Sequence, residues 1–252
     1  MFIVISGVIG VGKSTVAKKL AAYLGYHPIM ETVKNHPCLP EFYGGTGAKQ
    51  DRIKHPECFP DAWQIKFIDL NCDYQSFRTQ SFFVWDRFIK HVMALMKHEN
   101  VVADRSIYED AIFAKVLKKR KEMNIVDFEK IYYPHFQSLC GFLRPPDLTI
   151  RLKASLDTIM KRIAARDRTI ECNIPREYLE DLEAQYDRWW EEDWVENHSL
   201  TSIEIDTENL DLKTPNEADW NYLVGEIQSK VTLPVAKPKI DVEMYKMTQG
   251  GD

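Results

Sequence analysis

The 252-residue chain is 44% apolar and 28% charged with a net charge of −5, enough apolar surface for one packed core and too little excess of one sign to hold nucleic acid or an anionic membrane by charge alone. No run is long and apolar enough for a membrane span, and the five scattered cysteines contain no Cys-x-x-Cys pair, so a disulfide framework is set aside in favour of a reducing cytoplasm. The length suits a single α/β domain.

In chain order, Phe2-Ile-Val-Ile5 is consecutively apolar and rich in β-branched residues, the pattern of a strand buried on both faces of a parallel sheet, and is expected to be the central strand. It leads at once into glycines, unlike a secretory or mitochondrial leader. Val16, Ala17, Leu20, Ala21 and Leu24 then recur at helical spacing until Gly25 ends the pattern. Further short strands are expected near His27–Met30, Asn100–Ala103, Asp147–Leu152 and Ser202–Ile205. Between them the periodicity predicts helices over about Asp61–His98, Ile107–Met123, Phe128–Cys140, Leu156–Arg166, Arg176–Glu192 and Glu217–Val231. Such alternation predicts a parallel sheet covered by helices. Gly44–Pro60 and Thr232–Asp252 resist the scheme and read as a loop and a flexible tail, leaving residues 1–231 as the folded domain.

Gly7-Val-Ile-Gly10-Val-Gly12-Lys13-Ser14 matches G-x-x-x-x-G-K-[ST] between an expected strand and an expected helix, the context the motif requires. Glycines let backbone N–H groups converge on phosphate oxygens, and the following helix, entered through Ser14 and Thr15, adds the positive end of its dipole. Lys13 is placed to neutralise phosphate charge and Ser14 to ligate Mg²⁺. The base-reading [NT]KxD element of GTPases and the Asp-Glu pair of motor ATPases are both missing, which weakens those readings.

Glu31 follows the second expected strand, and Asp104-Arg105-Ser106 follows the third, so all lie at the strand ends where ligands gather in open α/β sheets. Glu31 there suits the deprotonation of an acceptor hydroxyl, Asp104 a Mg²⁺ ion, and Arg105 the reacting oxygens; the bland readings are a solvated loop acid and a surface ion pair of little worth. Arg162, Arg166 and Arg168 repel one another without an anion and would serve as a lid, over about 162–172, that closes on a triphosphate and excludes water.

Taken together, Gly7 to Thr15, Glu31, Gln80, Arg87, Asp104-Arg105-Ser106, Asp110, the arginine lid and Glu171 resemble the deoxyribonucleoside kinase family, which includes the deoxycytidine, deoxyguanosine and deoxyadenosine kinases. The resemblance spans about residues 1–215, and several spacings agree jointly: Arg87 seven after Gln80, Asp110 six after Asp104, and Ile174-Pro175 with Glu177-Tyr178-Leu179 after the lid. It implies a P-loop kinase fold, three α/β/α layers with a five-stranded parallel sheet, usually in a homodimer. It also implies ATP with Mg²⁺ as phosphoryl donor, Glu31 as general base toward the nucleoside 5′-hydroxyl, and Glu171 on the sugar 3′-hydroxyl. Asp206 and the residues after it are expected near the adenine of ATP.

Gln80 and Arg87, seven apart, share one helix face, and Asp110 only accepts hydrogen bonds. An Arg beside an Asp suits a base with an exocyclic amine, which ranks deoxyadenosine, deoxyguanosine and deoxycytidine above thymidine. A nucleoside-monophosphate kinase and a non-catalytic nucleotide sensor are the rival readings. Departures from the family pattern are Thr32, where Pro is common, the Gly44–Pro60 insertion and the tail. His36-Pro-Cys38 and His55-Pro-Glu-Cys58 offer four candidate zinc ligands, although His-x-Cys is shorter than the usual structural spacings. Lys118-Lys-Arg-Lys121 reads as a solvated helix end, and Trp189, Trp190 and Trp194 as core or interface.

Overall fold

The computed structural model describes residues 1–31, 38, 72–166, 174–191, 199–211, 213 and 217–233. Outside them lie the whole of Gly44–Pro60, the tail from residue 234, Thr32, three of the four candidate zinc ligands (His36, His55 and Cys58), Trp194, and the site candidates Arg168 and Glu171.

Five parallel strands, β1 (Phe2–Ser6), β2 (His27–Ile29), β3 (Val101–Asp104), β4 (Leu148–Lys153) and β5 (Ser202–Asp206), form one sheet in the order β2-β3-β1-β4-β5. β1 is central and wholly buried, and its side chains divide by the two-residue strand period. Phe2 and Val4 join Val101, Ala103, Ile29 and Ala94 in one apolar cluster, whereas Ile3 and Ile5 join Val102, Ile150 and the larger one. Both faces are therefore covered, and each fully buried Ile or Val contributes about 1.5–3 kcal/mol.

The helices are α1 (Lys13–Leu24), α2 (Cys72–Lys97), α3 (Asp110–Lys119), α4 (Tyr133–Gly141), α5 (Leu156–Ala164), α6 (Arg176–Glu191) and α7 (Glu217–Lys230). Helix α1 buries the residues expected from spacing, Val16, Ala17, Leu20, Ala21 and Leu24, and ends where Gly25 turns left-handed (φ 69°) and Tyr26 N donates to Ala21 O (2.8 Å). Two helices differ from expectation. The segment expected as Ile107–Met123 is a 3₁₀ turn, Ile107–Glu109, followed by α3, and it stops early as Lys121 adopts φ 60°. The helix expected from Phe128 begins as a π-helix, Asp127–Tyr132, before α4.

The basic run at the end of α3 is neutralised locally: Lys119 and Arg120 pair with Asp181, and Lys118 with Glu129. Trp189 packs into the larger apolar cluster. Among the described residues no helix is long and apolar enough to cross a membrane.

Because β1, β2 and β3 run parallel, their carboxyl ends share one edge of the sheet. The P-loop leaves β1, Glu31 follows β2, and Asp104-Arg105 closes β3, so topology alone brings together three segments distant in sequence.

Candidate active site

The P-loop needs its glycines for steric reasons. Gly7 has φ 133°, and a Cβ there would stand 2.6 Å from the Leu152 carbonyl oxygen; at Gly10 (φ 87°) it would meet Ile163 at the same distance. Gly12 (φ 111°) caps α1 with no side-chain hydrogen bond, which leaves the first N–H groups of the helix for an anion. Lys13 Nζ donates to Val8 O (2.7 Å), within its own loop. Burial, then the neighbouring Arg105 cation, pulls its pKa down to about 7, against the upward pull of Asp104, Glu31 and Glu109. Phosphate oxygens arriving in the loop would give this ammonium a stronger partner than a carbonyl.

Glu31 is held by two guanidinium groups on one oxygen. Its Oε1 accepts from Arg87 Nη2 (3.0 Å) and lies 3.3 Å from Arg105 Nε. Burial pushes this carboxyl up, but Arg105, Arg87 and Lys13 outweigh it and hold the pKa at about 2. Arg87 also makes a two-pronged contact with Asp110, Nε to Oδ2 at 2.9 Å and Nη2 to Oδ1 at 3.1 Å, with both residues buried. The geometry is the strong fork-to-carboxylate kind. Burial still lifts Asp110 to about 6, with Arg87 opposing. Gln80, two turns before Arg87 on α2, is buried as well.

Ser14 Oγ donates to Asp104 Oδ2 (2.5 Å), and Asp104 Oδ1 is buried without a hydrogen-bond partner among the described residues. An unmet carboxylate oxygen beside a P-loop hydroxyl fits Mg²⁺, which takes one or two protein oxygens and completes its shell with phosphate and water. The charge balance agrees: Glu31, Asp104, Glu109 and Asp110 face Lys13, Arg87 and Arg105, four acids to three bases. Burial and then the Glu31 charge raise the Asp104 pKa, with Lys13, the Ser14 hydroxyl and Arg105 opposing.

Arg105 sits at φ 71°, a left-handed conformation that costs a non-glycine residue about 1–2 kcal/mol. Its backbone N donates to Ile5 O (3.0 Å), its Nη1 to Gly7 O (3.0 Å), and its guanidinium lies 4.7 Å from the centre of the Phe113 ring.

The lid arginines divide. Arg162 does not reach out as an uncommitted lid cation: it donates to Val11 O in the P-loop (3.1 Å), to Thr207 Oγ1 and O (3.2 and 2.5 Å) and to Leu210 O (3.1 Å). It thereby straps the loop after β5 to the phosphate loop, with neutral acceptors in place of an anion. Arg166 lies just past the end of α5. Asp206, at the end of β5, accepts from Glu208 N (2.8 Å) within that strapped loop.

This geometry is matched by relationship. A model of the deoxynucleoside kinase family matches residues 3–232. The chain belongs to that family. It is 32% identical over 190 residues to the deoxyadenosine/deoxycytidine kinase of Bacillus subtilis, covering 74% of this chain and 75% of that protein. It is 29% identical over 230 residues to the deoxyguanosine kinase of the same organism, covering 91% and 97%. A solved deoxyadenosine kinase from M. mycoides superposes over 91% of this chain and all of that one with a TM-score of 0.66 at 22% identity, a likeness of fold. The activity is that of a kinase, transfer of a phosphoryl group to a deoxyribonucleoside, on a P-loop kinase fold with helices on both sides of a five-stranded parallel sheet.

Two buried residues of the site went unrecognised in the sequence, Glu109 and Tyr186. Glu109 was legible in part: Ser106-x-x-Glu109 is a capping-box pattern, and Glu109 Oε1 does accept from Ser106 N (3.0 Å). Tyr186, on the apolar face of α6, carried only the signature of a core residue.

Proposed function

We propose that the protein transfers the γ-phosphoryl group of ATP, as its Mg²⁺ complex, to the 5′-hydroxyl of a deoxyribonucleoside, preferring purine deoxynucleosides and deoxycytidine to thymidine. The observation that supports this most is the chain Glu31–Arg87–Asp110, which links a catalytic carboxylate to a base-reading one through a single guanidinium. With Glu31 Oε1 occupied by both arginines, Oε2 is left to accept the proton of the 5′-hydroxyl. A weak base suffices, because the hydroxyl loses its proton late in a loose phosphoryl transition state. Arg105 meets the reacting oxygens, and Lys13 with N–H groups of the phosphate loop between Gly7 and Thr15 holds the donor phosphates. Ser14 and Asp104 would hold Mg²⁺, which when bound would supply positive charge against the donor phosphate oxygens. Arg166, with Arg162, Arg168, Glu171 and Asp206, takes the donor and sugar roles that the family resemblance implies.

Selectivity follows from proton count. Both oxygens of Asp110 retain lone pairs beyond the Arg87 contacts, so a base edge bearing an amine can donate to them. Thymine has no exocyclic amine: where adenine offers N6, cytosine N4 and guanine N2, it offers carbonyls on either side of one ring N–H, which sets an acceptor against the buried carboxylate, a mismatch worth about 1–3 kcal/mol. An assay with γ-labelled ATP over the four deoxynucleosides and their monophosphates tests this. Turnover of deoxyadenosine, deoxyguanosine or deoxycytidine at a kcat/KM at least about tenfold above thymidine is expected. Thymidine preference would sink the pocket reading, and turnover confined to monophosphates would replace it with the nucleotide-kinase alternative.

We also propose a cytoplasmic homodimer, with residues 1–231 as its catalytic domain. Trp85, Ile89, Met93 and Met96 form a stripe along α2, each 42–82% exposed, on a face that a second copy would cover. Sedimentation equilibrium is expected to give a dimer that Ile89→Glu shifts toward monomer; a monomeric wild type overturns the assembly.

A further inference from the structure

The Arg105 guanidinium is gripped from the side opposite Glu31 by two residues to which the mechanism above gives no role. Glu109 is fully buried, and its two oxygens divide the work. Oε1 accepts from Ser106 N and fixes the turn after Arg105. Oε2 accepts from Tyr186 Oη (2.7 Å) and stands 3.4 Å from Arg105 Nη1 and 3.5 Å from Gly7 N. The Tyr186 hydroxyl, itself buried, donates to Glu109 and accepts from Arg105 Nη1, so it bridges the carboxylate and the guanidinium. Its ring is walled in by Phe113, Trp189 and the Arg151 guanidinium, which leaves the hydroxyl little freedom.

We infer that Glu109 and Tyr186 are positioning residues that hold the Arg105 guanidinium against Glu31 and the reacting oxygens. The inference rests on the role given to Arg105 under the proposed function. Three things make it more than packing. A fully buried carboxylate is retained in a fold only where cations and donors meet it, and every partner of Oε2 belongs to the phosphate loop, the catalytic arginine or the tyrosine that bridges to it. A long guanidinium side chain on a left-handed backbone must be fixed by its surroundings to aim at one point. Tyr186 also comes from α6, which packs against α3, so the arginine is braced from an element 81 residues away in sequence.

The test separates aim from architecture. Tyr186→Phe deletes one oxygen and keeps the ring contacts; kcat is expected to fall about tenfold while KM for ATP and for nucleoside stays within about twofold. Glu109→Gln keeps an acceptor for Ser106 N but loses the charge, and a fall of about 10–100-fold in kcat is expected. If that variant does not fold, Tyr186→Phe alone decides. Tyr178→Phe, on the same helix with a buried hydroxyl that has no hydrogen-bond partner among the described residues, is the packing control and should keep kcat within about twofold. In an Arg105→Lys background, Tyr186→Phe should add almost nothing, because the group it aims is gone. Wild-type kcat for Tyr186→Phe alongside an impaired Arg105→Lys overturns the inference and leaves the role of Arg105 standing, as would losses that simply multiply. Wild-type kcat for Arg105→Lys removes the role of Arg105 and the inference with it.

Discussion

Glu31→Gln is expected to lower kcat by about 10²–10⁴-fold while leaving ATP affinity within about twofold. The amide keeps the size of the side chain and an oxygen for Arg87 and Arg105, now 3.0 and 3.3 Å from Oε1. Its NH₂ then faces the acceptor hydroxyl, where it can donate but cannot take a proton. The P-loop, reached through Lys13, Ser14 and the free end of α1, is untouched, so nucleotide binding should survive. Steady-state rates with labelled ATP and calorimetric titration with ATP check the two halves separately. Full turnover would remove Glu31 as the base, and loss of ATP binding would make it a structural residue of the donor site.

The pH profile gives a second reading of the same residue. The arginines hold Glu31 at about 2, so it stays ionised through any range in which the fold survives and contributes no acid limb. On the acceptor side, Asp110, at about 6, changes charge near neutrality, whereas Lys13, at about 7, does so on the donor side. An inflection near pH 6 is therefore expected in kcat/KM for a base with an exocyclic amine, as protonation of Asp110 removes the acceptor that reads it.

The sequence legible along single elements and the sequence legible only across them differ sharply in this chain. The consecutive apolar run Phe2–Ile5 and the spacing from Val16 to Leu24 each depend on one segment's own geometry, and the structure returns them nearly unchanged. Glu31 and Asp104-Arg105 could be placed at one sheet edge because strand ends are predictable from parallel topology. What no spacing reveals is which partner a long side chain selects. Arg162 and Arg166 sit one turn apart, a spacing that suits a shared anion but does not report the four oxygens that Arg162 meets in the P-loop and the loop after β5. Arg87 was expected to read a base with Asp110; that it also grips Glu31, 56 residues away, depends on where β2 ends against α2. Tyr186 is hidden for the same reason, since its helical spacing reports burial and says nothing of its hydroxyl.

That extra contact changes what the loss of Arg87 should do. Arg87→Met leaves Asp110 buried without its bidentate partner and strips one of two cations from Glu31, and breaking such a pair from one side costs about 3–5 kcal/mol. Glu31 keeps Arg105, so most of the loss falls on Asp110. Its folded-state pKa already stands above the ordinary 3.8 because of burial, and without Arg87, the main opposing influence, it must rise further. A carboxyl whose pKa is raised by folding costs nothing below its unfolded value, costs progressively more as pH climbs from there to the folded one, and costs a constant amount above it. Urea unfolding is therefore expected to show a gap between Arg87→Met and wild type that is small near pH 5 and widens toward pH 8. Asp110→Asn added to Arg87→Met should recover a large part of the stability at pH 8, since it removes the uncompensated charge while keeping the shape. A pH-independent gap, or a double variant no more stable than Arg87→Met alone, would mean that Arg87 acts through packing and not as the cation that lets two carboxylates share one pocket.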